Sequence, residues 1–188
     1  MLRTLLPVVA LLAGFAAVSV GANTLLPSEL AKPGRVLVLR HATAPGIGDP
    51  PGFRLGDCST QRNLDGRGRT QAIELGKRLS RAGVVRARVF SSQWCRCLET
   101  ARLLALGPVE ALPALNSFFG QGDEREARTQ ALRVFLSKLP PDGTPVVLVT
   151  HQVNISDLTG RAMASGAAVI LALDGTEEPH MLGEIEAR

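Results

Sequence analysis

Val36-Leu37-Val38-Leu39-Arg40-His41-Ala42 runs four apolar residues straight into an arginine, a histidine and a small residue. An apolar run without polar alternation reads as a parallel strand buried on both faces, and Arg40 and His41 then fall where that strand opens into a loop. Open α/β sheets place their chemistry at such strand ends. The pattern repeats 110 positions later, where Val146-Val147-Leu148-Val149-Thr150 leads into His151. Between the two, a short strand at Arg88 to Ser91 leads into Ser92-Gln93-Trp94-Cys95-Arg96-Cys97, which brings a second strand-end arginine. Two strand-end histidines and two arginines together compose a phosphate site.

The rest of the chain alternates in kind. Arg35 to Leu39 reads as the first strand, after a polar, proline-containing lead-in from Asn23 to Gly34. Ala44 to Asp57 reads as a long loop without regular structure, of the sort that is usually functional, so it is expected to border the site. Asp65 is placed to cap a helix running to about Ala82, with Ala72, Leu75 and Leu79 on one face and Gly83 as its stop. A helix from about Trp94 to Leu106 ends at Gly107-Pro108. A further helix from about Asp123 repeats Ala131, Phe135 and Leu139 at four-residue spacing and is broken by Pro140-Pro141-Asp142-Gly143. Pro145 to Thr150 is a strand, about Asn154 to Ala164 a helix, Ala167 to Leu173 a strand buried on both faces, and Met181 to Ile185 a last edge strand. Strands alternating with helices predict a three-layer α/β/α sandwich with a mostly parallel central sheet.

A length of 188 residues suits one domain with a core of its own, and neither a repeat period nor a low-complexity tract interrupts it. Residues 1–22 read as a signal peptide: Arg3 is the only charged side chain, an apolar stretch runs from Leu5 to Val20, and small residues close it at Gly21-Ala22. A membrane anchor is the alternative, for which the stretch is slightly short. The expected domain is therefore 23–188, in a secreted or periplasmic protein with no stable membrane partner after cleavage. The formal net charge is +4, and only Lys32, Lys77 and Lys138 among the 21 basic residues are lysines. An arginine excess suits phosphate or carboxylate recognition. The basic residues form no run and are not interleaved with aromatic ones, so a nucleic-acid partner is not indicated. Cys58, Cys95 and Cys97 face an oxidising compartment after export. Cys95 and Cys97 are poorly placed to pair with each other, so a bridge from Cys58 to one of them is expected.

The chemistry follows from the charge of the substrate. A phosphomonoester dianion repels nucleophiles, and its uncatalysed hydrolysis is among the slowest known. Arginines neutralise it through bidentate, charge-assisted hydrogen bonds, while a neutral imidazole offers a lone pair near pH 7. Arg40 and Arg96, as fixed positive charges, keep His41 unprotonated, and His151 is placed to stabilise the oxygens of the transferring phosphoryl group. Arg62, Asn63 and Gln93 are candidate substrate-pocket residues. His180, in a polar tail, reads as a surface residue.

In order along the chain, Leu39-Arg40-His41-Ala42, Leu64 with Gly66, Gly68 and Gln71-Ala72, Ser91-Ser92 with Arg96 and Thr100-Ala101, and Val149-Thr150-His151 resemble the histidine phosphatase superfamily, which includes phosphoglycerate mutases and acid phosphatases. The resemblance implies that His41 is the nucleophile that becomes a phosphohistidine, that His151 is the second pocket histidine, and that Arg40 and Arg96 bind phosphate. It also implies that no metal or other cofactor is required. Two positions depart from the pattern. Mutase-like members carry a glutamate proton donor in a Leu-Asn-Glu context where this chain has Leu115-Asn116-Ser117, and the other branch carries an aspartate after the second histidine where this chain has Gln152. The proton donor is left unassigned among Asp49, Asp57, Asp123 and Glu124. The expectation is a phosphatase acting on a small phosphorylated metabolite or an envelope sugar phosphate. The alternatives are a catalytically weak phosphate-binding relative and a phosphoglycerate mutase-type phosphotransferase.

Overall fold

The structure, a computed structural model, describes residues 24–187, so the expected leader at 1–22 lies outside the described residues. Six strands, β1 (Arg35–Arg40), β2 (Arg88–Ser91), β3 (Val109–Ala111), β4 (Val146–Thr150), β5 (Ala168–Ala172) and β6 (His180–Ile185), form one sheet in the order β3-β2-β4-β1-β5-β6. β3, β2, β4 and β1 pair in parallel, β5 is antiparallel to β1, and β6 is antiparallel to β5. β5 therefore runs against the other five, and the sheet is mixed but mostly parallel.

Four helices cover it: α1 (Gly66–Arg81), α2 (Cys95–Leu103), α3 (Arg125–Ser137) and α4 (Gln152–Thr159). Alternate residues of the central strands feed two separate cores. Leu37, Leu39, Val147 and Val149 pack with Leu75 and Leu79 of α1 and Cys97 and Ala101 of α2. Val36, Val38 and Leu148 pack with Leu132 and Leu136 of α3 and Ile155 and Leu158 of α4 on the opposite face. Burial on both faces is why these strands read as continuous apolar runs, each large side chain contributing about 1.5–3 kcal/mol of transfer free energy.

Local chemistry sets the element ends. The Asp65 carboxylate accepts from the Gly68 N–H at 2.7 Å and caps α1, and Gly83, at φ +97°, turns the chain away beyond its last turn. The sequence reading extends α2 to Leu106, but the helix stops at Leu103 because Ala105 turns into the left-handed region at φ 54°. It also places the fourth helix at about Asn154 to Ala164, whereas α4 begins directly after His151 and is closed by Gly160 at φ +70°. β3 was not foreseen. It is a three-residue edge strand whose residues are half-buried or exposed, so it carries no apolar run to mark it.

Candidate active site

Distant residues meet because β2, β4 and β1 are adjacent and parallel, and so end at one level. Arg40 pairs with Thr150, and Ser91 with Val149. One residue further on, the His41 N–H donates to the Thr150 carbonyl and the Ser92 N–H to the Val149 carbonyl, at 3.0 and 2.9 Å. After β1 the chain passes to α1 on one face of the sheet, and after β4 to α4 on the other. The crevice between diverging loops is the position where open α/β sheets bind ligands. The two imidazoles sit there with ring centroids 5.5 Å apart, edge to face, and both are buried.

The loop carrying His41 is held from two helices. Thr100 of α2 accepts the Ala42 N–H at 3.0 Å and donates to its own helix at the Arg96 carbonyl. Gln71 of α1 accepts from the Thr43 N–H at 3.0 Å and donates to the Ser165 carbonyl. Gly68 lets the first turn of α1 come close: a Cβ there would stand 2.0 Å from the Thr43 carbonyl oxygen.

Hydrogen-bond partners fix the state of each histidine. His41 Nδ1 lies 2.8 Å from the Ala42 carbonyl, which only accepts, so Nδ1 carries the proton and Nε2 keeps its lone pair. Burial pushes the His41 imidazole down to about 3, the Ala42 carbonyl opposes this, and the Arg96, Arg62 and Arg40 charges add to the lowering. The sequence reading credited the arginines alone, but desolvation is the larger cause. His151 Nδ1 faces an Arg96 nitrogen at 3.4 Å. A guanidinium only donates, so the proton of His151 sits on Nε2, 2.8 Å from Ser92 Oγ. Burial and then the Arg96 charge hold His151 well below the ordinary histidine range.

Arg40, Arg62 and Arg96 line a cavity of about 480 Å³ in front of the histidines. The Nε atoms of Arg40 and Arg96 are buried and have no hydrogen-bond partner among the described residues, while both residues face the cavity. Arg40 is anchored on the Met163 carbonyl at 2.7 Å, and Arg62 on the carbonyls of Gly48 and Ala44. Asp49 also lines the cavity. Its carboxylate accepts from one Arg96 nitrogen at 2.8 and 3.1 Å, from Trp94 Nε1 at 2.9 Å and from the Arg62 N–H at 3.0 Å. Burial raises the Asp49 pKa, but these donors, Arg96 foremost, outweigh it and hold the carboxyl below its usual range. Three guanidiniums against one carboxylate leave two positive charges, the complement of a phosphomonoester dianion. Among the described residues no group of three or more His, Cys, Asp and Glu is arranged to hold a metal ion.

The other candidates fall elsewhere. Asn63 donates to the Cys58 and Gln61 carbonyls and braces its own loop. Gln93 exchanges hydrogen bonds with Asn116 behind the site. Neither lines the cavity. Asp57 pairs with Arg54, and Glu124 with Arg128, and Asp123 is likewise off the cavity wall. His180 is exposed at the start of β6. The disulfide joins Cys58 to Cys95, which ties the loop before α1 to the residue preceding Arg96. Cys97 is free and buried, 3.4 Å from His151 Nε2, and burial pushes its thiol up to about 12, so it is inert at neutral pH. The sequence reading passed over Ile47 and Phe119 of the cavity wall. The available signal was large apolar residues set among glycines and prolines in surface loops.

Residues 36–131 match the family model of the histidine phosphatase superfamily, branch 1, a stretch that holds His41 and Arg96 and stops short of His151. No curated protein sequence matches the chain significantly. Among solved structures, the protein histidine phosphatase SixA complexed with tungstate superposes with a TM-score of 0.59 at 19% identity, over 81% of this chain and 96% of that one. A mycobacterial glucosyl-3-phosphoglycerate phosphatase in complex with inorganic phosphate gives 0.59 at 18%, over 82% and 97%. A phosphoserine phosphatase from Entamoeba histolytica in complex with 3-phosphoglyceric acid gives 0.58 at 12%, over 82% and 98%. Likeness at these identities speaks for the fold.

Proposed function

The chain belongs to the histidine phosphatase superfamily, branch 1, and from that premise we propose that it is a phosphomonoester hydrolase that passes the phosphoryl group of a small substrate through a phosphohistidine at His41. The observation that carries this reading is the tautomer of His41: its Nδ1–H is bound to the Ala42 carbonyl, so the unprotonated Nε2 is left to attack, among guanidiniums suited to the dianion.

The phosphate enters against the Arg40, Arg62 and Arg96 side chains that line the cavity. His41 Nε2 forms a bond to phosphorus, the bond from phosphorus to the ester oxygen breaks, and its electron pair leaves with that oxygen. Water then attacks phosphorus, the N–P bond breaks and inorganic phosphate departs. His151 is held at Nε2 by Ser92. The arriving dianion favours protonation at its Nδ1, which then donates to a phosphoryl oxygen as charge builds up. We place the protein in a secreted or periplasmic setting, a reading supported by the Cys58–Cys95 bridge.

Protein lacking residues 1–22 should hydrolyse 4-nitrophenyl phosphate, and His41→Ala should lose at least about 10³ in turnover, the scale of removing a covalent nucleophile, with an unchanged circular dichroism spectrum. Unchanged turnover in that variant would remove the nucleophile assignment. Phosphate binding without any turnover would make the protein a binding relative. Phosphoryl transfer between phosphoglycerates without release of inorganic phosphate would make it a mutase.

A further inference from the structure

We propose that the cleft beside the phosphate site takes the aromatic leaving group of an aryl phosphomonoester, an inference that rests on the hydrolase reading above and names its substrate class. The cavity, at about 480 Å³, is several times larger than a phosphate group needs. Beyond the charged groups its wall is mostly apolar: Ile47 and Phe53 come from the loop after β1, Trp94 from the start of α2, Phe119 from the loop after β3, and Val153 from α4. Ile47 is 91% exposed and Phe119 59%. These large apolar side chains meet water at the mouth of a buried, charged site, where an apolar group entering the cleft would cover them. The two loops that bear them approach each other, since a Cβ on Gly48 would lie 3.7 Å from the Phe119 ring. Phe53 packs on Trp94 with centroids 5.6 Å apart and planes inclined at 37°, which makes an aromatic inner wall.

Of the neutral polar side chains of the same wall, Gln152 is engaged within the fold and Ser117 partly so, which leaves the Gln121 amide at the mouth. Ser117 Oγ accepts from the Phe119 N–H, and the Gln152 amide donates to Ser156 and accepts from the Met163 N–H. A polyol or sugar leaving group would bury hydroxyls with few partners there, which costs free energy. Beyond the three arginines the described lining residues carry no further cation for a second acidic group on the substrate.

The same cleft lacks a free carboxylic acid to protonate the leaving oxygen. Asp49 is the one carboxylate among the described lining residues, and four hydrogen bonds from Arg96, Trp94 and Arg62 hold it. With His151 committed to the phosphoryl oxygens, the ester oxygen leaves carrying its electron pair and takes a proton from water afterwards. An alkoxide approaches hydroxide in basicity, with a water pKa of about 15.7, and leaves poorly. A phenolate, whose parent pKa is about 10, leaves without help. Shape and missing acid thus select the same class, an aromatic ring bonded through oxygen to phosphate.

The test compares kcat/KM of the protein lacking residues 1–22 on 2-naphthyl phosphate, phenyl phosphate, glycerol 3-phosphate and glucose 6-phosphate. The expected result is a preference of at least about tenfold for the aryl esters, with Phe119→Ala raising KM for 2-naphthyl phosphate about tenfold, the scale of a lost apolar pocket contact, while inhibition by inorganic phosphate changes less than about twofold. Sugar or glycerol phosphates turned over as well as aryl esters, or a KM indifferent to Phe119, would overturn the aromatic assignment and leave the hydrolase reading standing. If no ester is hydrolysed, it is the hydrolase reading that fails, and calorimetric titration decides the cleft: 2-naphthyl phosphate must still bind at least tenfold more tightly than inorganic phosphate, and lose that advantage in Phe119→Ala, or the cleft assignment fails too.

Discussion

Asp49 is the residue whose role was least visible in the sequence. As one acidic residue in a glycine- and proline-rich loop it offered only a candidate proton donor, because nothing in a linear chain shows that its carboxylate meets a guanidinium 47 positions away. The pair is nearly buried, with 4% of the Arg96 side chain and 8% of the Asp49 side chain exposed. Removing one partner of such a pair typically costs about 3–5 kcal/mol because the other charge is left uncompensated. Asp49→Asn should sit at the low end of that range, since Arg96 borders an open cavity. Saturating inorganic phosphate should restore part of the loss by supplying the missing negative charge, an outcome that thermal denaturation with and without phosphate would read. A variant as stable as the parent, or indifferent to phosphate, would show that the carboxylate does not balance Arg96. His41 and Arg96, by contrast, were legible from sequence, because a charged residue directly after an unbroken apolar run has a strand end as its natural place.

At the scale of elements, what the sequence carried was the pattern that burial writes. β1, β4 and β5 are apolar throughout because both faces are covered, and α1 announced itself by its Asp65 cap and the Gly83 after it. β3 and the end of α2 were missed, because a short edge strand buries little and α2 is turned off at Ala105, a left-handed residue at φ 54° that carries none of the usual stop signals. The pairing of Cys58 was left between two partners, and geometry decides it for Cys95, with 37 positions between the two residues. The bridge fixes the loop that ends at Arg62 to the start of α2, so that Arg62 and Arg96 are presented together. Reduction, or Cys58→Ala with Cys95→Ala, should lower unfolding free energy by about 2–4 kcal/mol through the larger freedom of the unfolded chain. It should also raise KM more than it lowers kcat, because the cavity wall rather than His41 is loosened. Chemical denaturation with and without reductant, beside steady-state kinetics, checks both parts, and a reduced protein of unchanged stability would contradict the first.

For the whole molecule, two buried neutral histidines imply a particular dependence on pH. The unfolded chain protonates them near 6.5, while the folded protein holds His41 down to about 3 and His151 also well below the ordinary range. Between these limits the unfolded state binds more protons, so stability is full above pH 6.5 and falls as the pH drops towards 3, by up to about 1.4 kcal/mol per pH unit for each histidine. Melting temperature followed from pH 7.5 to 4 should decline along this slope, and His41→Gln should flatten it. A profile indifferent to that substitution would show that His41 is already protonated in the folded protein. The same depression keeps the nucleophile unprotonated in mild acid. The fold class was readable because strand and helix periods alternate along the chain. The cavity was not, since its shape depends on two loops, at 46–53 and 117–121, whose meeting is a tertiary fact. The most direct measurement is to quench the enzyme with a rapidly hydrolysed phosphomonoester under alkaline conditions, which preserve phosphohistidine, and to map the modified peptide by mass spectrometry. One added phosphoryl group on His41, lost in His41→Ala, is the predicted result. Turnover with the phosphoryl group on another residue, or with none trapped at any time while turnover proceeds, would contradict the account.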